Sequence, residues 1–511
     1  MSTDRNHTAR IVAAAALLAF ALVPAAGSYA RTLYLGPGGD DSADCVAGAE
    51  FKTLERAVSC LIAGDTLIVR EGTYSGGVYV RTEATAEAPV LIQGESLEAV
   101  ISGSGSRPDA IRVDGASHVA IDRLTIRQAA RAGIAVLTSD HVTVTRCCLA
   151  DNHTWGIFTG FADDVHFEGN ECYGAKDEHG IYHSNSGDRF VIRGNLIHHN
   201  AANGIHINGD PEMGGDGVIS FGLVEDNIIY GNGSKGGAGI NMTHVQDVLV
   251  RNNLIYRNYA GGFTFYQDTG TFAQGSKRAV IMGNTVYFHS RYGRSGVNIA
   301  STSEKAVIAG NIFVSGGVRE TLEVNSSHLS TIVSDYNLLW GVDPSQTVVR
   351  NDRRTSLEVW RSLSKNDPHS ITADPLFLDP DSAGFSIADT SAAVDAGMPL
   401  DTLKAILQRL GGFEWTLALL DSLPDEDILG RSRPAGAGPD IGAYEVGAQP
   451  TGRYDFNGDG KLSVADAVAL LLLGRADPED PAADVNGDGR YTMADVIKLL
   501  LVIRDLTADV G

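Results

Sequence analysis

The pattern apolar-x-apolar-x-Gly-Asn recurs through the middle of this chain and restricts its fold more tightly than any other feature. It reads Val165-His166-Phe167-Glu168-Gly169-Asn170, then Val191-Ile192-Arg193-Gly194-Asn195. It returns at Leu223 to Asn227, Leu249 to Asn253, Ile281 to Asn284 and Val307 to Asn311, roughly every 23 to 32 residues. A second motif falls between these: Ala132-Gly133-Ile134, Trp155-Gly156-Ile157, His179-Gly180-Ile181, Asn203-Gly204-Ile205, Ala238-Gly239-Ile240, Gly261-Gly262-Phe263 and Ser295-Gly296-Val297. Each repeat therefore holds short period-2 strands separated by Gly and Asn turns. No helical pattern alternates with them, which excludes a βαβ fold. Strands this short bury a face only by stacking coil on coil, so the body is a solenoid with one continuous core. The Asn column (Asn170, Asn195, Asn227, Asn253, Asn284, Asn311) is expected to be a structural ladder, because Asn tolerates left-handed turns and stacked amides bond from coil to coil. Cys147 occupies the same slot one coil earlier.

These repeats predict an all-β, right-handed parallel β-helix. The body resembles the pectate-lyase-like superfamily over roughly residues 32–345. An open solenoid exposes strand edges and needs covers. Thr53 to Ala63 reads as an amphipathic helix, with Leu54, Ala57, Val58 and Leu61 on one side, and serves as the expected N-terminal cap of a domain spanning 31–345. Residues 346–446 lose the repeat and are expected to form a C-terminal capping segment, followed by a linker at 447–452.

Residues 453–511 form a different module. Asp455, Asn457, Asp459, Lys461, Ser463 and Asp466 follow the ligand spacing of an EF-hand loop, and Asp484, Asn486, Asp488, Arg490, Thr492 and Asp495 repeat it. Side-chain oxygens stand at positions 1, 3, 5, 9 and 12, and Lys461 and Arg490 offer the backbone carbonyl of position 7. Position 12 is Asp rather than the usual Glu, and the apolar helical stretch follows each loop. This pair resembles a type I dockerin, a small α-helical secreted module. The resemblance implies two calcium ions and a cohesin-bearing scaffold protein as partner. The residues at loop positions 10 and 11, Val464-Ala465 and Met493-Ala494, differ from the Ser/Thr pairs of cellulosomal dockerins.

The first thirty residues read as a signal peptide: Arg5 and Arg10 precede an apolar run, Ile11 to Val23, and Ser28-Tyr29-Ala30 supplies a small-residue cleavage site. No later stretch is long and apolar enough to cross a bilayer, so a secreted or cell-surface protein is expected. Cys45 and Cys60 flank the predicted helix and are placed to pair, while one bridge among Cys147, Cys148 and Cys172 is open. A net charge of −23 with no basic stripe argues against nucleic acid as a partner.

Aligning the coils on the Gly-Ile motif, with Ile inward, gives an outward column of Ala135, Phe158, Tyr182, His206, Asn241, Thr264 and Asn298. Two residues on lie Leu137, Gly160, Ser184, Asn208, Thr243, Tyr266 and Ala300. Tyr182, Asn208, Asn241 and Tyr266 are the expected substrate-binding residues, since aromatics beside amides suit sugar rings with apolar faces and hydroxyl edges. The densest polar cluster is Lys176-Asp177-Glu178-His179 with His183, Asp188, Arg189 and Arg193, joined by His198, His199 and His206. By strand parity His183 faces the core. A Gly/Asp-rich insertion, Gly209 to Asp216, lengthens one turn and is expected to wall a cleft.

β-Elimination on a uronate polymer needs a base for the C5 proton, a cation for the carboxylate and a proton for the leaving oxygen. The lyases that this body resembles use Lys or Arg as base, commonly with calcium. The resemblance implies Lys176, Arg189 or Arg193 as base, His179, His206 or Tyr182 for proton handling, and Asp177, Glu178 and Asp188 for a further, catalytic calcium. Tyr173 to His179 is also similar to the Tyr-Gly-Phe-Asp-Pro-His-Glu of mannuronan epimerases, without its Pro and in a different order. Asp163-Asp164 matches one element of polygalacturonase-type hydrolases, but no Gly-His-Gly follows. The expected function is thus a polysaccharide lyase acting on an acidic polymer. The alternatives are a non-catalytic carbohydrate-binding or adhesion protein, a β-helix hydrolase, or an epimerase.

Overall fold

The computed structural model describes residues 30–103, 107–288, 293–301, 303–316, 319–341, 349–351, 353–448 and 470. The expected leader, most of the linker and both calcium loops lie outside the described residues. One coil shows how the body is built. Phe190–Arg193 joins sheet A, Leu196–His198 joins sheet B, Ile205–Asn208 joins sheet C, and Ile219–Glu225 starts the next coil in sheet A. The chain turns about 10 times in this way, giving sheets of 13, 11 and 12 strands. Alternate residues point inward, so Ile192, Ile197, Ile205 and Ile207 are fully buried in one continuous apolar core.

Both sequence motifs mark corners of the coil. Between sheets A and B the residue before the ladder takes left-handed φ: 65° at Gly169, 61° at Gly194 and 65° at Gly310. Arg146, Asp226 and Asn252 fill the same slot at φ 50°, 58° and 55°, so glycine is favoured there and not required. The next residue is the ladder. The backbone N–H of Asn170 donates to Asn195 Oδ1 at 2.9 Å, and the series runs on through Asn227, Asn253, Asn284 and Asn311 to Asn337. The Cys147 N–H donates to Asn170 Oδ1 from the preceding coil (3.0 Å). At the corner leading into sheet C glycine is needed for close approach. A Cβ on Gly180 would lie 2.5 Å from Ile197 Cγ2 and 2.9 Å from the Gly204 carbonyl oxygen of the next coil.

The helix Leu54–Ser59 buries Leu54, Ala57 and Val58 against the first strands. Cys45 and Cys60 form a disulfide with a Cα–Cα distance of 5.4 Å. Cys147, Cys148 and Cys172 are free thiols, so no bridge forms among them. At the other end the helix Leu357–Ser364 brings Leu357 and Trp360 into the main core beside Leu339 and Val349.

Beyond this helix the segment also runs back along the solenoid. The helices Leu400–Leu410 and Glu414–Ser422 lay Leu403, Leu407 and Leu420 on Leu223, Leu249, Val280 and Val307, the outward residues of sheet A. The strand pair Phe377–Asp379 and Gly384–Ile387 brings Phe385 and Ile387 onto Leu254, Tyr256, Tyr287 and Ile312 of sheet B. The clusters that tie this segment down thus involve the later coils of sheets A and B, and neither includes the outer face of sheet C.

Candidate functional site

Sheet C sets the site residues in register. Phe158 pairs with Tyr182, Tyr182 with His206, His206 with Asn241 and Asn241 with Thr264. One position pair further along the strands, Asn208 lies opposite Thr243, and Thr243 opposite Tyr266. Neighbouring strands of a sheet lie about 4.8 Å apart, which is a stacking distance for rings. The rings exploit it. Tyr182 stacks on His206 with centroids 4.8 Å apart, and Trp155 stacks on Phe158 at 4.3 Å. Tyr182 bridges the two pairs, 5.7 Å from both Trp155 and Phe158. The half-buried platform spans three coils.

The histidines behind this platform form a relay with an assigned direction. The Asn203 backbone N–H donates to His179 Nδ1 (3.1 Å), so that nitrogen carries no proton. The proton sits on His179 Nε2, which faces His206 Nδ1 at 3.0 Å and donates to it. His206 therefore holds its own proton on Nε2. That N–H is shut off from solvent and finds no partner among the described residues. Burial drives both rings toward neutrality: it pushes His206 down to about 4 and His179 well below the ordinary imidazole value, with the His206 charge adding to the effect on His179. Asn241 Oδ1, Thr243 Oγ1 and Gln267 Oε1, on the next strands of the same sheet or just past them, are likewise buried without partners. Buried polar groups normally find partners, so a cluster of orphans on one face marks a place where ligand oxygens can complete them.

Two edges frame the face. Where sheet C turns toward sheet A, the 209–218 loop makes a short 3₁₀ turn at Pro211–Met213 and is tied to the 267–276 loop by Gln274 Nε2 donating to the Asp216 carbonyl (2.8 Å). This loop is the insertion expected to wall a cleft. Burial chiefly raises the Tyr182 phenol, and the negative charges of Asp210 and Asp268 add to it. Asn208 Nδ2 reaches the Tyr182 hydroxyl at 3.5 Å. On the opposite edge, Glu178 Oε2 accepts from Trp155 Nε1 (2.8 Å), and Lys235 Nζ pairs with Asp177 (2.8 Å). Lys176 is exposed in this turn, three residues before His179, and its side chain has no recorded partner among the described residues.

The structure brings His179, Tyr182, His206, Asn208, Asn241 and Tyr266 to one face, with Lys176 at its rim. Arg189 and Arg193 do not join them. Arg189 lies in the turn just before the sheet A strand Phe190–Arg193, clamped by Asp163 (2.9 Å) and Asp164 (2.8 Å), which raise its pKa further, and Arg193, on that strand, pairs with Glu225. Committed to carboxylates on another sheet, neither is placed to act as the base. Asp177, Glu178 and Asp188 do not converge as a calcium site either. Asp188 lies in the turn beyond sheet C, where it accepts from the Ser220 N–H (2.8 Å) and burial pushes it up to about 6. Among the described residues no group of three or more His, Cys, Asp or Glu could hold a metal ion. His183 is in the core, where Thr159 Oγ1 (2.7 Å) and the Gly187 carbonyl (3.1 Å) satisfy it. His198 pairs with Glu171 on sheet B and His199 with His198, away from the site. Trp155 was not among the residues expected at the site. Strand parity places it inward with Ile157, but it sits at the corner ahead of Gly156, where parity no longer holds.

Residues 77–236 match a family model described as "Right handed beta helix region". Among curated proteins, the uncharacterized protein YwoF of Bacillus subtilis (strain 168) is 24% identical over 459 residues, covering 71% of this chain and 92% of that protein. Among solved structures, pectate lyase Pel9A superposes with a TM-score of 0.52 at 15% identity, covering 82% of this chain and 97% of its own. An alginate lyase from Paenibacillus sp. str. FPU-7 superposes with a TM-score of 0.43 at 23% identity, covering 50% and 90%. The chain thus has the right-handed parallel β-helix architecture, with pectate-lyase-like neighbours.

Proposed function

We propose that this protein is a carbohydrate-active β-helix that lays an acidic polysaccharide along the outer face of sheet C and cleaves it by β-elimination. The observation that carries this reading is the Trp155, Phe158, Tyr182 and His206 platform beside an unpartnered His206 N–H. Stacked rings bind the apolar faces of sugars, and a preorganised N–H in a water-excluded position meets an oxygen on which charge develops. In elimination the base takes the C5 proton, the negative charge left at C5 is delocalised onto the uronate carboxylate, and as the C4=C5 double bond forms the C4–O bond breaks and the leaving oxygen takes a proton from solvent water. As a neutral donor His206 suits that carboxylate better than it suits the role of base. Lys176, exposed at the rim, is the base in this reading and takes the proton only as its free amine. A pectate lyase shares the fold, so the scaffold accommodates this substrate class.

The same reading extends to the ends of the chain. The leader exports the protein, consistent with the Cys45–Cys60 disulfide. Asp455 to Asp466 and Asp484 to Asp495 hold two calcium ions in a dockerin-like module that docks on a cohesin-bearing scaffold.

Incubation with pectate, alginate and glycosaminoglycans, followed by ultraviolet absorbance of the unsaturated product, tests the chemistry. Product is expected on one of them, and Lys176→Ala should abolish it; an unchanged rate removes Lys176 from the mechanism. A second reading, a non-catalytic binder, is favoured by the fixed neutral tautomers of His179 and His206, which make the pair a donor rather than a base. Binding without product on every polymer would select it.

A further inference from the structure

The outward column of sheet C continues beyond the platform. Tyr182 is followed through Phe158 and Ala135 to Arg112 and Tyr79, each opposite the next. At that end three guanidiniums gather on one ring: Arg107, Arg81 and Arg112 lie 4.4, 4.5 and 5.2 Å from the Tyr79 centroid. Arg81 and Arg112 share a single carboxylate, Asp114, at 2.8 and 2.7 Å. Arg107 donates to the Gly77 carbonyl (2.7 Å) and reaches only the exposed Glu55 at 3.7 Å. Three guanidiniums thus face two carboxylates, Asp114 and Glu55, an excess of one positive charge within ion-pair reach, on a chain whose net charge is −23. A cleft of about 410 Å³, bounded by Leu61, Ile62, Tyr79, Arg81, Thr82 and the carboxylate of Glu83, opens beside the cluster.

Like charges repel, and gathering them is unfavourable unless an anion completes them. The guanidinium fork matches a carboxylate in two parallel hydrogen bonds, and cation–π contacts hold such forks flat against an aromatic ring. Four strand spacings separate Tyr79 from Tyr182, about 19 Å along the solenoid axis. We infer that Tyr79, Arg81, Arg107 and Arg112 form a distal subsite that takes a carboxylate of a uronate chain whose reacting sugar lies at Tyr182 and His206. This rests on the reading that the outer face of sheet C binds polysaccharide. It adds that the ligand is an anionic oligomer several sugars long, held at two separated points.

The test is affinity electrophoresis of the full chain in gels containing polygalacturonate, alginate or dextran sulfate. The variants are Arg107→Gln, whose side chain has only the contacts above and so leaves the fold intact, and Tyr182→Ala. The expected result is that Arg107→Gln binds a uronate polymer about tenfold more weakly, the loss of one charge-assisted contact, while melting at the wild-type temperature. A uronate hexasaccharide should then compete for wild-type protein better than for Arg107→Gln, and a disaccharide, too short to span both points, should compete equally for both. If Tyr182→Ala weakens uronate binding and Arg107→Gln does not, the subsite is overturned and the sheet C reading stands. If neither weakens it, or wild type binds no uronate, both fall. If dextran sulfate binds as tightly and loses as much in Arg107→Gln, the site is a general polyanion patch and the carboxylate assignment is overturned.

Discussion

Asn227 sits midway along the ladder, fully buried, and replacing it with Ala should unsettle the whole solenoid. Its Nδ2 donates to the carbonyls of Ile192 (2.9 Å) and Glu225 (3.0 Å) and to Asn253 Oδ1 (2.9 Å). Its Oδ1 accepts from the backbone N–H of Asn195 and from Asn195 Nδ2, both at 3.0 Å. Ala removes all five contacts. Three leave acceptors that keep other partners or can relax. The Asn195 N–H, however, is left buried with nothing to donate to. A net buried hydrogen bond contributes about 1 kcal/mol, and a stranded buried donor costs about 1–3 kcal/mol. Counting the amide's bonds as two or three net contributions, the expected loss is about 3–5 kcal/mol. Coils contact only their neighbours, so the loss should propagate along the stack. Urea unfolding followed by far-ultraviolet circular dichroism measures it. Asn298→Ala, on the outward face of sheet C, is the control and should shift stability by less than about 0.5 kcal/mol. If Asn227→Ala falls within about 1 kcal/mol of that control, the ladder is a by-product of the turn geometry and not a source of stability.

Two further outcomes follow from the same contacts and from the terminal loops. Burial lowers His183 to about 4; between pH 6.5 and 4 the unfolded chain takes up a proton there and the folded chain does not, so stability falls on acidification. Relative to His183→Gln, wild type should lose about 2 kcal/mol more between pH 7 and pH 4.5, read from urea midpoints; equal losses would mean that this imidazole charges in place. Calcium removal should abolish a small, separate calorimetric transition from residues 453–511 and leave the main one unmoved, since saturating ligand at about 100 times its Kd contributes about 2.7 kcal/mol to the domain that binds it; a joint shift of both transitions would tie the module to the β-helix.

What the sequence could show follows from which features repeat. The Asn column and the sheet C pairs, Tyr182 on His206 and Asn241 on Thr264, were legible because each recurs at fixed offsets from a Gly-Asn or Gly-Ile corner. A second ladder, in which the Asn200 N–H donates to Asn232 Oδ1 (3.0 Å) and the Asn232 N–H to Asn258 Oδ1 (2.9 Å), was missed. Its signal was present, an Asn a few residues ahead of four Gly-Ile-type corners (Asn152, Asn200, Asn232 and Asn258), but Ala129 and Ala175 interrupt the column and the intervening loop varies in length. Arg189 and Arg193 looked catalytic because they are close in sequence to His179. Only the fold shows that a coil of this length carries them around to sheet A, where Asp163, Asp164 and Glu225 hold them. The arginines around Tyr79 were invisible for a similar reason: Arg81, Arg107 and Arg112 come from two successive coils that precede the first clear repeat.

The fold also gives the face a direction. The C-terminal segment packs on the outward residues of sheets A and B in the later coils and leaves the outer face of sheet C running past it. Across that face the edges differ: Asp210 and Asp268 line the turn toward sheet A, while Lys176 and the Asp177-paired Lys235 stand at the turn from sheet B. Along it the ends differ too, with guanidiniums gathered at Tyr79 and neutral amides at Asn241 and Asn298. In the proposed reading a uronate chain is drawn toward the guanidinium end at Tyr79 and away from Asp210 and Asp268; the opposite edge offers no net charge, because Asp177 and Glu178 stand there beside Lys176 and Lys235. In that reading Lys176 at the rim faces the C5 proton, while the His206 N–H, enclosed as the structure stands, has to be uncovered before a carboxylate can reach it. The ladder of buried amides keeps the coils in register, and that register holds these groups at the spacing on which the arrangement depends.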